Sequence, residues 1–280
     1  MRIDLHTHSV VSDGTDAPEQ VIAAAAQAGL DVVGLTDHDS TLGWEAAARA
    51  ALELGVALVR GVELSCAAEH MSVHVLSYLH DPDDAALVTE MERIRSSRVH
   101  RARTMVERLS ADLDLTWDDV LARTEPGATV GRPHIADALV ARGHVPDRSA
   151  AFTSLLATGS RYHVPHYAIG VVRAVELIRR AGGVPVLAHA GAVARGRVVS
   201  DATIRSMVDA GLAGLEVHHR DNPPEQQERL AAMARSWGLL VTGASDYHGQ
   251  GKPNLIGENL TAPEVLAEIE EQGRGKVVRR

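Results

Sequence analysis

The chain has 280 residues, enough for one large domain or two ordinary ones with a sizeable core. Its make-up, 45% hydrophobic and 23% charged with a net charge of −9, is that of a globular protein and argues against a broad basic surface for duplex DNA. Cys66 is the only cysteine, which excludes an intramolecular disulfide framework and leads us to expect a reducing, cytoplasmic setting.

The first residues, MRIDLHTH, read as a strand rather than a secretory leader, and no apolar run approaches the roughly 18 residues needed to span a bilayer. Strands are predicted over 2–6, 31–36, 56–64, 71–78, 184–189, 213–218 and 239–243. Helices are predicted between them over 18–28, 42–54, 171–181, 201–209 and 225–237. Pro18 suits a helix start, and Gly29, Gly55, Gly182, Gly211 and Gly238 fall just past helix ends. Strand–helix alternation implies a mainly parallel sheet covered by helices, a closed or nearly closed α/β barrel, with an open doubly wound sheet as the alternative. Residues 82–165 break the rhythm, with helical patterns over 84–113, 117–123, 133–142 and 148–157 and no convincing strand. They read as a helical insertion, a cap, between the fourth and fifth strands, leaving 1–81 and 166–280 as the barrel. A last helix is expected over 263–273, followed by a basic end, Lys276 to Arg280, read as a solvated terminus.

The 15 histidines are not scattered. His6 ends the first strand and His8 lies two residues on. The second strand runs into Asp37, His38 and Asp39, the third holds Glu63, and His74 lies within the fourth. His189 ends the fifth, His218 and His219 end the sixth, and Asp246 and His248 follow the seventh. The C-terminal ends of parallel barrel strands share one face, where active sites form. Residues two apart in an extended chain point the same way, so His6 and His8 can reach one ion. A carboxylate beside an apolar strand, as at Glu63, is costly to bury unless paired or metal-bound. Imidazole and carboxylate without thiolate suit zinc, manganese or iron. So many candidate ligands exceed one tetrahedral ion, which points to a multinuclear site with a bridging carboxylate, the kind suited to phosphate-ester cleavage.

These motifs, in this order, resemble the PHP (polymerase and histidinol phosphatase) family: His6-Thr7-His8-Ser9, Ser12-Asp13-Gly14, Thr36-Asp37-His38-Asp39, Gly61-Val62-Glu63, His74, His189 and Ser245-Asp246-Tyr247-His248. The segment Gly131-Arg132-Pro133-His134-Ile135-Ala136 is similar to one found in its stand-alone nucleotide phosphoesterases. The resemblance implies a distorted (β/α)7 barrel binding two to three divalent ions (Mn, Zn or Fe). By implication His6, His8, Glu63 and Asp246 surround a first ion, Glu63 bridges to a second completed by His74 and His189, and Asp13, His38 and His248 hold a third. Asp13, His38, Glu63, His189, Asp246 and His248 then form the catalytic set, with Arg132 and His134 on the substrate. Asp37 and Asp39 would either orient the ligand imidazoles or serve a structural role. Ala190 stands where relatives often carry Pro, which touches loop shape rather than ligation.

The expected activity is hydrolysis of a phosphomonoester on a nucleotide, foremost the 3′-phosphate of a nucleoside 3′,5′-bisphosphate, by attack of a metal-bridging hydroxide. Alternatives are 5′-3′ exoribonuclease action on short RNA, an AMP phosphatase, a histidinol-phosphate phosphatase, and a non-catalytic metal-binding regulatory module. The partners expected are a small phosphorylated nucleotide or short oligonucleotide, with neither duplex DNA nor a membrane. Arg161, Tyr162 and His218 are weaker candidates for the site, and Arg195 and Arg197 are candidate anion contacts more readily read as solvated.

Overall fold

The structure, a computed structural model, describes residues 1–193 and 196–280, so Arg195 lies outside the described residues. The described residues form eight strands: β1 (Ile3–Thr7), β2 (Val32–Leu35), β3 (Ala57–Ala68), β4 (Met71–Tyr78), β5 (Ile169–Gly170), β6 (Val184–Leu187), β7 (Gly214–His218) and β8 (Leu240–Gly243). Seven form one sheet in the order β1-β2-β3-β4-β6-β7-β8, with the two-residue β5 pairing parallel to the far end of β3. The sheet curls into a nearly closed barrel. Its seam between β1 and β8 is bridged by the loop after β8, where His8 donates its backbone N–H to the Tyr247 carbonyl at 2.8 Å.

Helices α1 (Pro18–Gln27), α2 (Trp44–Leu54), α7 (Val171–Arg180), α8 (Asp201–Asp209), α9 (Pro224–Trp237) and α10 (Pro263–Gln272) belong to the barrel portion of the chain. Those packed on the sheet do so through small and branched residues, as α1 and α2 do with Val21, Ile22, Ala47 and Ala51 against Val33, Leu35 and Leu58. Gly55 and Gly238 end α2 and α9 in the left-handed conformation, where a side chain would be strained.

The expected mainly parallel sheet needs one correction. β4 runs antiparallel to both β3 and β6. The link from β3 to β4 is only Glu69-His70, both at positive φ (50° and 62°), the backbone of a tight hairpin turn. Two residues cannot make a parallel crossover, and no Gly or Asn marks this turn in the sequence. The reversal matters because it brings the first half of β4, with His74, to the rim where the parallel strands end.

Between β4 and β5 lie α3 (Ala85–Ser110), α4 (Trp117–Leu121), α5 (Arg132–Ala141) and α6 (Arg148–Thr153). They share an apolar core of their own that includes Met105, Leu109, Val120, Ile135, Leu139 and Leu156.

The basic terminus keeps Lys276, Arg279 and Arg280 exposed, as expected, yet its backbone is docked. Val278 exchanges backbone hydrogen bonds with Leu58 at 2.9 Å, and Arg280 donates to the Leu52 and Glu53 carbonyls at the end of α2. Those carbonyls lack helical partners, and a cation there is favoured by the helix dipole.

Gly34 of β2 shows how closely the strands approach. A Cβ at this position would lie 2.4 Å from the Leu5 carbonyl oxygen. Gly34→Ala is expected to lower stability by about 1–3 kcal/mol through overpacking, read as a lower urea midpoint at unchanged slope.

Candidate metal centre and its cavity

The strand ends deliver their ligands by specific backbone devices. His6 and His8 flank the end of β1 on one side of the chain, bringing their Nε2 atoms to 3.0 Å. Beyond β2, the chain continues as an irregular ladder along β3, with the Glu63 N–H bonded to the Thr36 carbonyl at 3.0 Å and a bridge between His38 and Glu63. Within the β3–β4 hairpin, Glu63 and His74 are diagonal neighbours on one face, and the Glu63 carboxylate meets His74 Nδ1 at 2.8 Å. Three residues at the rim turn sharply with positive φ: Asp39 (53°), His189 (31°) and Asp246 (54°). Such backbone costs of order 1–3 kcal/mol per residue and persists where the surroundings fix it.

Glu63 is the hub. Its Oε1 lies 3.0 Å from His189 Nε2, and its Oε2 lies 3.1 Å from His8 Nε2 and 3.3 Å from both His6 Nε2 and His38 Nδ1. Asp246 Oδ1 approaches His8 Nε2 at 3.4 Å and His248 Nδ1 at 3.4 Å. On the other side, Asp13 Oδ1 stands 3.2 Å from His248 Nε2, and Asp13 Oδ2 3.9 Å from His38 Nε2. The nine residues singled out as ligands therefore meet in one place. Three groups have donor atoms all within 4.8 Å of one another: His6, His8, Glu63 and Asp246; His8, Asp13 and His38; and His38, Glu63 and His74.

Burial opposes the charge on Glu63, yet His74, His38 and His6 hold its carboxyl well below the usual carboxylate range. Burial likewise works against Asp246, while Lys252, His248 and His6 keep it ionised. Burial, Lys252 and His8 push His248 down to about 4, so a neutral imidazole faces Asp13. The Asp13 Oδ1 and His248 Nε2 atoms are buried without a hydrogen-bond partner despite their 3.2 Å separation. With the His248 Nδ1 proton on the Asp246 carbonyl at 2.8 Å, the neutral ring turns its Nε2 lone pair to Asp13, and two buried acceptors so placed are costly unless a cation lies between them. Together with the all-imidazole and carboxylate donor set, this fits divalent metal.

The residues around the cluster include one, Glu216, that the sequence reading does not single out. Glu216 is buried on β7, accepting from His6 Nδ1 at 2.9 Å and from the His189 backbone N–H at 2.8 Å. It fixes which nitrogen of His6 faces the cluster. The signal existed, since Glu216 sits between Leu215 and Val217 just as Glu63 sits beside apolar neighbours. His219, rather than His218, turns inward, its Nε2 3.6 Å from Asp246 Oδ2, whereas His218 is exposed beside Gln227. Asp37 accepts from the Ser9 N–H, Ser9 hydroxyl and Ser12 hydroxyl, bracing the loop that carries His8 and Asp13. Asp39 accepts from the backbone and hydroxyl of Ser65 and pairs with Arg98 at 3.0 Å.

The cluster opens into a cavity of about 830 Å³. Its walls carry Arg98, Arg101, Arg132, Arg148, Arg220 and Lys252. Arg197 lines it too, with one donor on the Glu69 carbonyl. Arg132 stacks over Phe152, its Cζ 5.3 Å from the ring centre. His134 is absent from the cavity wall because its Nδ1 accepts the Gly131 N–H at the start of α5. Arg161 and Tyr162 pair with Asp112 outside the cavity, which removes both from the centre.

The comparisons agree with this geometry. Residues 4–119 match the PHP domain. The chain is 32% identical to a 3′,5′-nucleoside bisphosphate phosphatase of Chromobacterium violaceum, over 99% of this chain and 98% of that protein. It is 29% identical to a 5′-3′ exoribonuclease of Salmonella typhimurium, over 93% of this chain and 89% of that protein. Among solved structures, one described as a metal-dependent phosphoesterase from Bifidobacterium adolescentis superposes with a TM-score of 0.95 at 45% identity, covering 97% of this chain and 96% of that one.

Proposed function

The chain belongs to the PHP family of metal-dependent phosphoesterases, and on that premise we propose that it removes the 3′-phosphate from a nucleoside 3′,5′-bisphosphate. The observation that carries the reading is Glu63, one carboxylate held among five imidazoles under a cavity walled by cations. Its two oxygens are shared between the two sides of the cluster, as a bridging ligand requires.

Under this reading His6, His8, Glu63 and Asp246 would hold one divalent ion, Glu63, His74 and His189 a second, and Asp13, His38 and His248 a third. Manganese, zinc or iron suits these donors. Ions bound there supply an activated water near neutral pH and neutralise charge on the phosphoryl oxygens. The residues of the chain do the rest. Glu216 holds the His6 Nδ1 proton and keeps Nε2 directed at the cluster. Lys252 offsets charge on Asp246 at 2.8 Å, and Asp37 holds the His8–Asp13 loop in place. Arg132, with its face on Phe152, offers its guanidinium edge to the nucleotide's phosphate. One P–O bond to water oxygen forms, the bond to the ribose 3′-oxygen breaks, and a proton passes to that oxygen.

The net charge of −9 and a walled cavity favour a small nucleotide over a long strand. The residues at 82–165 are proposed to act as the cap that encloses it. Phosphate release with Mn²⁺ is expected to be fastest from adenosine 3′,5′-bisphosphate among a panel also holding AMP, histidinol phosphate and a short 5′-phosphorylated RNA. Faster turnover of the RNA would replace this reading with exoribonuclease action, and no release from any of them would overturn catalysis.

A further inference from the structure

The chain draws nearly all of its positive charge from arginine. Of its 28 basic side chains only Lys252 and Lys276 are lysine, and Lys276 is exposed in the terminal segment. Arginine makes the ion pairs of Asp39, Asp119, Asp137, Asp201 and Glu258. The cavity wall holds a lysine at one place, where Lys252 Nζ meets Asp246 Oδ2 at 2.8 Å. Among the described residues, no arginine pairs with the carboxylates of Asp13, Glu63 or Asp246, so this ammonium is the cation set directly on a ligand carboxylate. The two cations differ in geometry. A guanidinium is a planar fork that engages a carboxylate with parallel N–H groups, whereas an ammonium is a compact charge with three N–H groups in separate directions. Lys252 gives one of them to Asp246, its only acceptor among the described residues.

The backbone that carries Lys252 is fixed on both sides. Gly249 turns with a φ of 61°, the Gly251 N–H bonds to the His248 carbonyl at 3.1 Å, and Asn254 donates to the Ser245 carbonyl at 2.6 Å. A Cβ on Gly251 would collide with the Arg148 guanidinium, so the turn is wedged between the barrel rim and the start of α6.

We propose that Lys252 is a further catalytic residue, which holds Asp246 with one N–H and donates another to the sugar oxygen that leaves phosphorus. This rests on the phosphomonoesterase reading and deepens it. Asp246 Oδ1 faces His6 and His8 while Oδ2 faces Lys252, so the ammonium stands one carboxylate's width from the proposed first ion, on its cavity side. The leaving oxygen carries the nucleoside, which has the cavity to occupy, and it departs toward that side. No spare imidazole stands there instead. His219 also approaches Asp246 Oδ2, yet it is fully buried and absent from the cavity wall. As the bond from phosphorus to the ribose 3′-oxygen breaks, its electron pair stays on that oxygen, and the Lys252 N–H stabilises the charge gathering there. The attacking water loses one proton and the ribose oxygen gains one, while the ammonium keeps its own.

The test uses the Mn²⁺-loaded full chain and its Lys252→Met and Lys252→Arg variants. The substrates are adenosine 3′,5′-bisphosphate and its analogue with sulfur in place of the bridging 3′-oxygen, whose thiolate leaves without a donor. In single turnovers Lys252→Met should slow the oxygen ester roughly 100–1000-fold, the loss of one donor to a developing oxyanion, and the sulfur analogue by about tenfold at most. Lys252→Arg should fall between, since it keeps the charge but turns a fork to Asp246. Equal losses on both substrates, or none on either, overturn the proposal. A second readout needs no turnover: calorimetric Mn²⁺ affinity of Lys252→Met should match or exceed that of wild type, because a cation beside Asp246 competes with the ion for its charge. An affinity weaker by about tenfold or more would assign Lys252 to the support of Asp246 alone and overturn the proposal. Wild type that cleaves neither substrate fails the phosphomonoesterase reading and the proposal with it, whereas equal losses in a working enzyme fail the proposal alone.

Discussion

Glu63→Gln is expected to cut kcat/KM by about a thousandfold or more, a loss of ~4 kcal/mol of transition-state stabilisation. The substitution keeps volume and removes the charge that five imidazoles face. Residues that merely orient a ligand cost about 10–100-fold, so a carboxylate shared by two ions, as proposed for Glu63, should exceed that range. Metal analysis of protein purified without chelator should show a loss of at least one ion per chain. Wild-type activity with full metal content in Glu63→Gln would remove the carboxylate from the centre. Because the amide fills the same space among His6, His8 and His74, cooperative unfolding should persist, separating loss of chemistry from loss of fold.

The second large effect concerns stability. Asp39→Asn should destabilise the protein by about 3–5 kcal/mol, because it leaves Arg98 buried without its partner. Asn tolerates the positive φ of 53° at this position and its oxygen can still accept from the Ser65 N–H, while the amide NH2 replaces the oxygen that receives Arg98 and the Ser65 hydroxyl. Arg98→Met on the same background should recover most of the loss, since the desolvated cation is then gone. Urea unfolding of the two variants measures both. A double variant as unstable as Asp39→Asn would mean that Asp39 acts through Ser65 rather than through Arg98. The pair also ties α3 to the loop after β2, which Ser65 of β3 holds, so its rupture is expected to loosen α3 from the barrel.

Much of the centre could be read before any coordinates because metal chemistry restricts residue type. Few side chains bind divalent ions, and a barrel gathers its ligands at strand ends, so His6, His8, Glu63, His189, Asp246 and His248 stood out by position alone. Glu216 carried the same sign, a carboxylate within an apolar strand, yet it serves by orienting His6. The arginines gave no such sign. Arg98 and Arg101 lie in a helix rich in charged residues, where most face solvent, and nothing local separates the two that are buried. The separation arises from how α3 packs, a long-range fact.

By itself, then, the sequence determined the element types, the helix ends and the inventory of candidate ligands, all of which depend on short-range periodicity, capping and side-chain chemistry. Tertiary structure alone decided the direction of β4, the docking of Val278 and Arg280, the inward turn of His219 instead of His218, and the union of Arg101, Arg132 and Lys252 with the metal ligands around one cavity. The physical reason is common to these cases. Each depends on which distant groups compete for the same buried space or the same unpaired backbone atom, and no window of neighbouring residues contains that competition.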